Sequence, residues 1–158
     1  MKKALFIILD NTLITTRSGK SFPLHSEDWK FKIGWYEIIK NLSDDFIICI
    51  VDNQIGVGEG YVNEQVFNTK IENICKILEK ELHLKKNSIV SNFCFKQEEE
   101  YRVKPNPGLI YELALDYEIR LDNSIMIGGS ADDEYFAAIS GIKVYYDVNT
   151  INESLFEK

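Results

Sequence analysis

Five short apolar runs, at residues 4–9, 46–51, 88–94, 124–127 and 142–146, alternate with stretches of helical period, and this limits the chain to few folds. Runs of this length, rich in Ile, Val and Leu, read as strands buried on both faces. Residues 64–82 carry Phe67, Ile71, Ile74, Ile77, Leu78 and Leu82 at helical spacing, which predicts an amphipathic helix. Residues 107–117 predict another, with Pro107 in the first turn and Leu109, Ile110, Leu113 and Ala114 behind it. A shorter helix is expected over 132–139, stopped by Gly141, and a further one over 35–42 leading into the second strand. Strand–helix alternation of this kind predicts an α/β, three-layer parallel sheet with helices on both faces. No repeat or low-complexity tract is present, and Glu98, Glu99 and Glu100 read as a solvated loop.

At 158 residues the chain is expected to form a single domain spanning 1–158, with one core of its own. The net charge of −7 argues against a protein that coats duplex nucleic acid, which needs a cationic face. It is unevenly spread: residues 1–32 hold six basic and three acidic residues, a balance of +3, and the remaining 126 carry −10. The longest apolar run stops at Asp10, too short for a membrane span or a signal peptide, so an intracellular location without membrane contact is expected. Cys49, Cys75 and Cys94 have no C-x-x-C spacing and read as reduced, mostly buried thiols.

In parallel α/β sheets chemistry gathers at the carboxyl ends of the strands. Those ends here carry Asp10-Asn11-Thr12, Asp52-Asn53-Gln54 and Gly128-Gly129-Ser130-Ala131-Asp132-Asp133, with Lys104-Pro105 in the loop after the third run. Four polar clusters from separate parts of the chain are thereby expected to meet in one crevice.

These clusters resemble the four motifs of the haloacid dehalogenase superfamily of phosphatases, in order and spacing, over about residues 4–147. Ile8-Leu9-Asp10-Asn11-Thr12-Leu13 is similar to Asp-x-Asp-Gly-Thr-Leu. Asp52-Asn53-Gln54 with Gly56 and Gly58 resembles Thr-Asn-Gln and its Gly-x-Gly turn, Lys104-Pro105 the third motif, and Gly128 to Asp133 the fourth, Gly-Asp-x-x-x-Asp. The stretch from Leu13 to Pro23, with Asp28-Trp29 beyond it, narrows the resemblance to the phosphatase domain of polynucleotide kinase/3′-phosphatases, which remove 3′-phosphates with Mg²⁺. The resemblance implies a HAD-like (Rossmannoid) fold without a large cap domain. The kinase phosphate loop of bifunctional relatives has no counterpart here. His25 and His83 lie far from any Cys pair, so no structural zinc is expected.

The departures bear on activity. Ile8 stands where the resemblance places the nucleophilic, metal-ligating Asp, and Gly129 where it places another Mg²⁺ ligand. Asp52 replaces a phosphate-binding hydroxyl with an acceptor that repels phosphate, and Asn11 replaces a glycine. What the resemblance retains is Asp10 as acid/base and metal ligand through its carbonyl, Thr12 and Asn53 on the phosphate side, Lys104 as the neutralising cation and Asp133 as a metal-side acid. Arg17 and Lys20 are candidate substrate contacts, with Lys30, Lys32, Trp29 and Trp35 beside them.

An aliphatic side chain can neither attack phosphorus nor coordinate a metal. The expectation is therefore a 3′-phosphatase-like domain that is catalytically inactive and serves as a binding or assembly module with a protein partner. In that reading an Asp52–Lys104 ion pair fills the vacated site and no resident cofactor is needed. The alternatives are a divergent phosphatase acting on nucleic-acid ends with Mg²⁺ in a remodelled site, a binder of nucleic-acid ends that does not cleave, and a structural subunit of a larger complex.

Overall fold

The computed structural model describes residues 1–32, 39–40 and 46–150. Its centre is β1 (Ala4–Ile8), buried at every residue. β1 pairs in parallel with β4 (Ile47–Asn53) on one side and β6 (Ile125–Gly128) on the other. The outer places belong to β5 (Val90–Cys94) and β7 (Val144–Asp147), giving the parallel order β5-β4-β1-β6-β7. The chain thus builds outward from β1 on one side and then on the other, which makes the end of β1 the switch point where such sheets hold ligands.

Side-chain alternation along β1 divides the core. Leu5 and Ile7 join Phe67, Ile71, Ile74 and Leu78 of α2 (Glu64–Glu81) on one face. Ala4, Phe6 and Ile8 join Ile110 and Leu113 of α3 (Gly108–Tyr117) and Phe136 and Ala137 of α4 (Ala131–Ile139) on the other. Each fully buried Leu, Ile or Phe among them contributes roughly 1.5–3 kcal/mol. Ile8 is 1% exposed and belongs to this apolar layer.

The helices form where periodicity places them, with local adjustments. Asn63 caps α2 by accepting from the N–H groups of Gln65 and Val66. Pro107 is the N-cap of α3 rather than its first residue, and Ser130 caps α4 by accepting from the Asp133 N–H. Ile77 is 39% exposed and lies off the buried stripe, whose members recur at 67, 70, 71, 74 and 78. β5 and β7 are half-buried rather than buried, because each is an edge strand with a neighbour on one side only. The segment over 35–42 lies outside the described residues except for Ile39 and Lys40.

Between β1 and β4 the chain forms a two-stranded ribbon, β2 (Ile14–Thr15) against β3 (Lys30–Phe31), and Ile39 and Lys40 are helical, so no large cap stands here among the described residues. The loop joining these two strands is tied down by Asp28, which accepts from the Ser18 N–H (2.8 Å), the Ser18 hydroxyl (2.6 Å) and the Leu24 N–H (2.9 Å). The Ser18 hydroxyl and the Leu24 N–H hold the Asp28 carboxyl down to about 2. A single turn, α1 (Ile55–Gly58), connects β4 toward α2 and contains Gly56 and Gly58. Among the described residues no helix is long and apolar enough to cross a membrane.

Candidate functional site

Sheet order brings three of the four polar clusters together with the loop after β5. Asp10 follows β1, Asp52 and Asn53 are the last residues of β4, and Asp133 lies in the first turn of α4, where the helix dipole favours a carboxylate. Asp10, Asp52 and Asp133, with Asn11, Lys104, Gly129 and Ser130, line an open crevice of about 310 Å³.

Lys104 holds the centre. Its ammonium is 2.9 Å from Asp52 Oδ1 and 2.7 Å from Asp133 Oδ1, and the three side chains are 14%, 7% and 5% exposed. The expected Asp52–Lys104 pair is therefore present, and Asp133 shares the same cation. Burial would lower the Lys104 ammonium, but Asp52 and Asp133 outweigh it and hold the group above its ordinary value. Burial pushes the Asp52 carboxyl up to about 6, with Lys104 pulling it down and the nearby Asp10 carboxylate adding to the rise. Asp52 also accepts from two backbone N–H groups, those of Asp10 (2.9 Å) and Asn53 (2.8 Å).

Asn53 does not line this crevice. Its amide brackets the Lys104 backbone instead, accepting from the Lys104 N–H at 2.9 Å and donating to the Lys104 carbonyl at 3.2 Å. Asp10 is exposed and accepts from Gln54 Nε2 at 2.7 Å, a partner no charge pattern announces.

Gly129 is where the loops close. A Cβ placed there would lie 2.6 Å from the Asn11 carbonyl oxygen and 3.1 Å from Thr12 Oγ1. A side chain at 129 therefore requires the Asn11 backbone to move. Asn11 is left-handed, at φ 57°, and its N–H donates to the Ile14 carbonyl at 2.8 Å. Its carbonyl accepts from Lys32 Nζ at 3.3 Å, and the same ammonium reaches Asn149 Oδ1 at 2.8 Å. Thr12 lies beneath this junction, 1% exposed, with its hydroxyl unpartnered.

The other sequence candidates lie elsewhere. Arg17 lines a separate groove of about 640 Å³ with His25, Glu27, Trp29, Asn73, Lys76 and Ile77. Lys20 is exposed on the ribbon loop and lines no part of the crevice, and Lys32 braces the Asn11 loop. Trp29 is half-buried, edge-on to Phe31 at 5.0 Å, so it serves the core. Trp35 lies outside the described residues.

The donor set does not fit Mg²⁺, a cation that demands near-octahedral oxygen ligation. Position 8 offers carbon and position 129 no side chain. Both Asp133 oxygens are engaged, one by Lys104 and the other by the Gly129 N–H at 3.0 Å. No cluster of three metal-ligating side chains occurs among the described residues.

Comparison with known proteins agrees with this architecture. The family model described as polynucleotide kinase 3 phosphatase matches residues 3–149. A D-glycero-beta-D-manno-heptose-1,7-bisphosphate 7-phosphatase of Helicobacter pylori (strain J99) is 31% identical over 134 residues, 83% of this chain and 74% of that protein. Its namesake in Haemophilus ducreyi is 27% identical over 158 residues, 94% of this chain and 84% of that one. Among solved structures, a protein described as a HAD-like phosphatase from Mesorhizobium loti superposes with a TM-score of 0.78 at 19% identity, over 92% of this chain and 72% of its own. The D,D-heptose 1,7-bisphosphate phosphatase of B. bronchiseptica, complexed with magnesium and phosphate, gives 0.74 at 19% identity, over 90% and 78%. At such identities the structural likeness establishes the fold, which is HAD-like.

Proposed function

Since the chain belongs to the polynucleotide kinase 3 phosphatase family, within the HAD superfamily, we propose that it is a phosphatase-family domain in which the aspartyl-phosphate route is closed and which acts as a binding or assembly module. One observation carries this reading: Lys104, the cation that would meet a phosphoryl group, is already neutralised by Asp52 and Asp133, while the side chain at position 8 is an isoleucine packed into the core. Covalent catalysis needs an attacking atom held in line about 3–3.5 Å from phosphorus. Ile8 supplies none. The outer partner in this reading is another protein, met by the acidic surface.

A second reading has its own support. The curated relatives are named phosphatases, and one structural neighbour was solved with magnesium and phosphate. Likeness to these proteins favours a surviving phosphatase, with Asp10 as its acid/base and a remodelled cation site, more directly than it favours inactivity. The residues of the crevice favour the first reading.

Phosphate release separates them. Purified protein is to be assayed with Mg²⁺ or Mn²⁺ on p-nitrophenyl phosphate, a sugar bisphosphate and a 3′-phosphorylated oligonucleotide, beside Lys104→Ala. The expected result is release no faster from the unaltered chain than from the variant. Turnover abolished by Lys104→Ala would overturn the first reading and establish the second.

A further inference from the structure

Away from the crevice, a long depression follows the outer side of α2. It has two openings: one of about 380 Å³ at Ser26, Asn63, Gln65, Val66 and Thr69, and the groove of about 640 Å³ that passes Asn73, Lys76 and Ile77. Thr69 and Asn73 are one helical turn apart, and Ser26 lies between His25 and Glu27, so both walls run on from one opening to the next. α2 turns Phe67, Ile71, Ile74 and Leu78 inward, which leaves Thr69, Asn73, Lys76 and Ile77 to form its wall. The facing wall is the ribbon loop, held by the Asp28 hydrogen bonds to Ser18 and Leu24, so the groove is formed before anything enters it. From Gln65 to Ile77 it follows the helix for about 18 Å, a span that about five or six extended residues would fill.

The fixed charges of this lining are Arg17, Lys76 and Glu27, a sum of +1 on a chain whose total is −7. One cation stands on each wall. Both are exposed, and among the described residues neither makes an ion pair. His25 Nδ1 accepts from the Glu27 N–H at 3.2 Å, which leaves the other ring nitrogen to donate. Trp29 and Ile77 add apolar surface beside the cations, and Val66 adds it at the far end. Ser26, Gln65, Thr69 and Asn73 can each donate and accept.

Such a mixture suits a polypeptide. An extended peptide alternates N–H and C=O groups, which hydroxyl and amide side chains match, while its own side chains reach the apolar points and the cations. A phosphodiester strand offers its backbone as acceptors alone and carries a charge at every residue, which two cations opposed by Glu27 do not match. We infer that the groove docks an extended acidic segment of a partner protein, with Asp or Glu side chains at Arg17 and Lys76 and an aliphatic or aromatic one against Trp29 and Ile77. This is a contact apart from the acidic surface, and it does not depend on whether the crevice turns over phosphate.

An array of immobilised octapeptides tests it, each with two acidic residues and two of Leu, Val or Phe in varied order. The intact chain is the probe, and the strongest binder is then titrated in solution by fluorescence polarisation. Saturable binding is expected, at least about tenfold weaker in the Arg17→Ala/Lys76→Ala variant, which loses two charge-assisted contacts. It should be unchanged in Lys143→Ala, an exposed lysine next to β7. Asn73→Trp fills the groove at mid-length without removing charge and is expected to weaken binding as much. Amide shifts over residues 25–29 and 65–77 on adding the peptide to the unaltered protein give a readout that needs no variant. An array without a binder, or binding indifferent to both groove variants, overturns the inference. Oligothymidylate bound more tightly than any peptide, with the same dependence on Arg17 and Lys76, overturns it too and assigns the groove to nucleic acid. Phosphate release and its dependence on Lys104 are read separately, so failure here and failure of the proposed function are distinguishable.

Discussion

Lys104→Met is expected to lower unfolding free energy by about 3–5 kcal/mol at pH 7.5, the size found when one partner of a buried ion pair is removed. Methionine keeps the volume, so the loss is electrostatic. It strands Asp52 and Asp133, 7% and 5% exposed, with no cation between them. The pH dependence gives the sign. In the unaltered protein the folded Asp52 carboxyl lies above its ordinary value, at about 6, so the native state holds that proton longer than the unfolded chain does. Its contribution to stability is present at low pH and is lost as pH rises from about 4 to about 6. Lys104, raised in the folded state, contributes below its ordinary value of 10.5 and loses that contribution as pH rises past it. In Lys104→Met the buried Asp52 carboxyl is left without that cation, so the deficit should shrink toward pH 4.5 as Asp52 takes up its proton. Urea denaturation at pH 7.5 and 4.5 measures both. A variant as stable as the parent at pH 7.5 would sink the idea that Lys104 neutralises the site.

The second large effect concerns turnover. Ile8→Asp, Asp52→Thr and Gly129→Asp together install the residues that the resemblance places at these positions, yet the backbone at Asn11 stands in the way of the third, since a Cβ at 129 would lie 2.6 Å from its carbonyl oxygen. Adding Asn11→Gly lets that loop move. The four changes together are expected to raise Mg²⁺-dependent phosphate release by about 10⁴-fold or more over the unaltered chain, the scale on which catalytic groups act as a unit. Ile8→Asp alone should gain nothing and should destabilise the fold, because it puts an unpaired carboxylate into the layer formed by Phe6, Ile110 and Phe136. A folded quadruple variant that releases no phosphate would falsify the view that these positions are what closes the route. Full activity in the unaltered chain would do so more directly.

Much of this molecule is legible from its residues. β1 is readable because a strand buried on both faces needs an unbroken apolar run, and Ala4–Ile8 is one. β5 and β7 were harder: their runs look as apolar, but burial depends on place in the sheet, which local sequence does not carry. The crevice follows from polar residues placed after strands, and the Asp52–Lys104 pair from an acid and a base left to share it. That Asp133 shares Lys104, and that Asn53 grips its backbone, required the distances between loops. Arg17 and Lys20 are candidates through charge and through the resemblance of residues 13–23, but neither signal says which way a loop turns, and Arg17 lines another groove. Lys70, buried in α2, left a signal that periodicity could have caught: a lysine at i+3 from Phe67 on the stripe that Ile71, Ile74 and Leu78 complete.

The ammonium shared by Asp52 and Asp133 has a consequence for how folding responds to solution conditions. A cluster of acids that relies on a bound cation makes folding hostage to the supply of that cation, since any species binding only the native state adds to its stability by mass action. Here the counter-ion is covalently part of the chain. It cannot be diluted, chelated or exchanged, and its effective concentration is set by the loop after β5. At a given pH the charge balance at this end of the sheet is thus supplied by the polypeptide itself and does not wait on a bound metal ion.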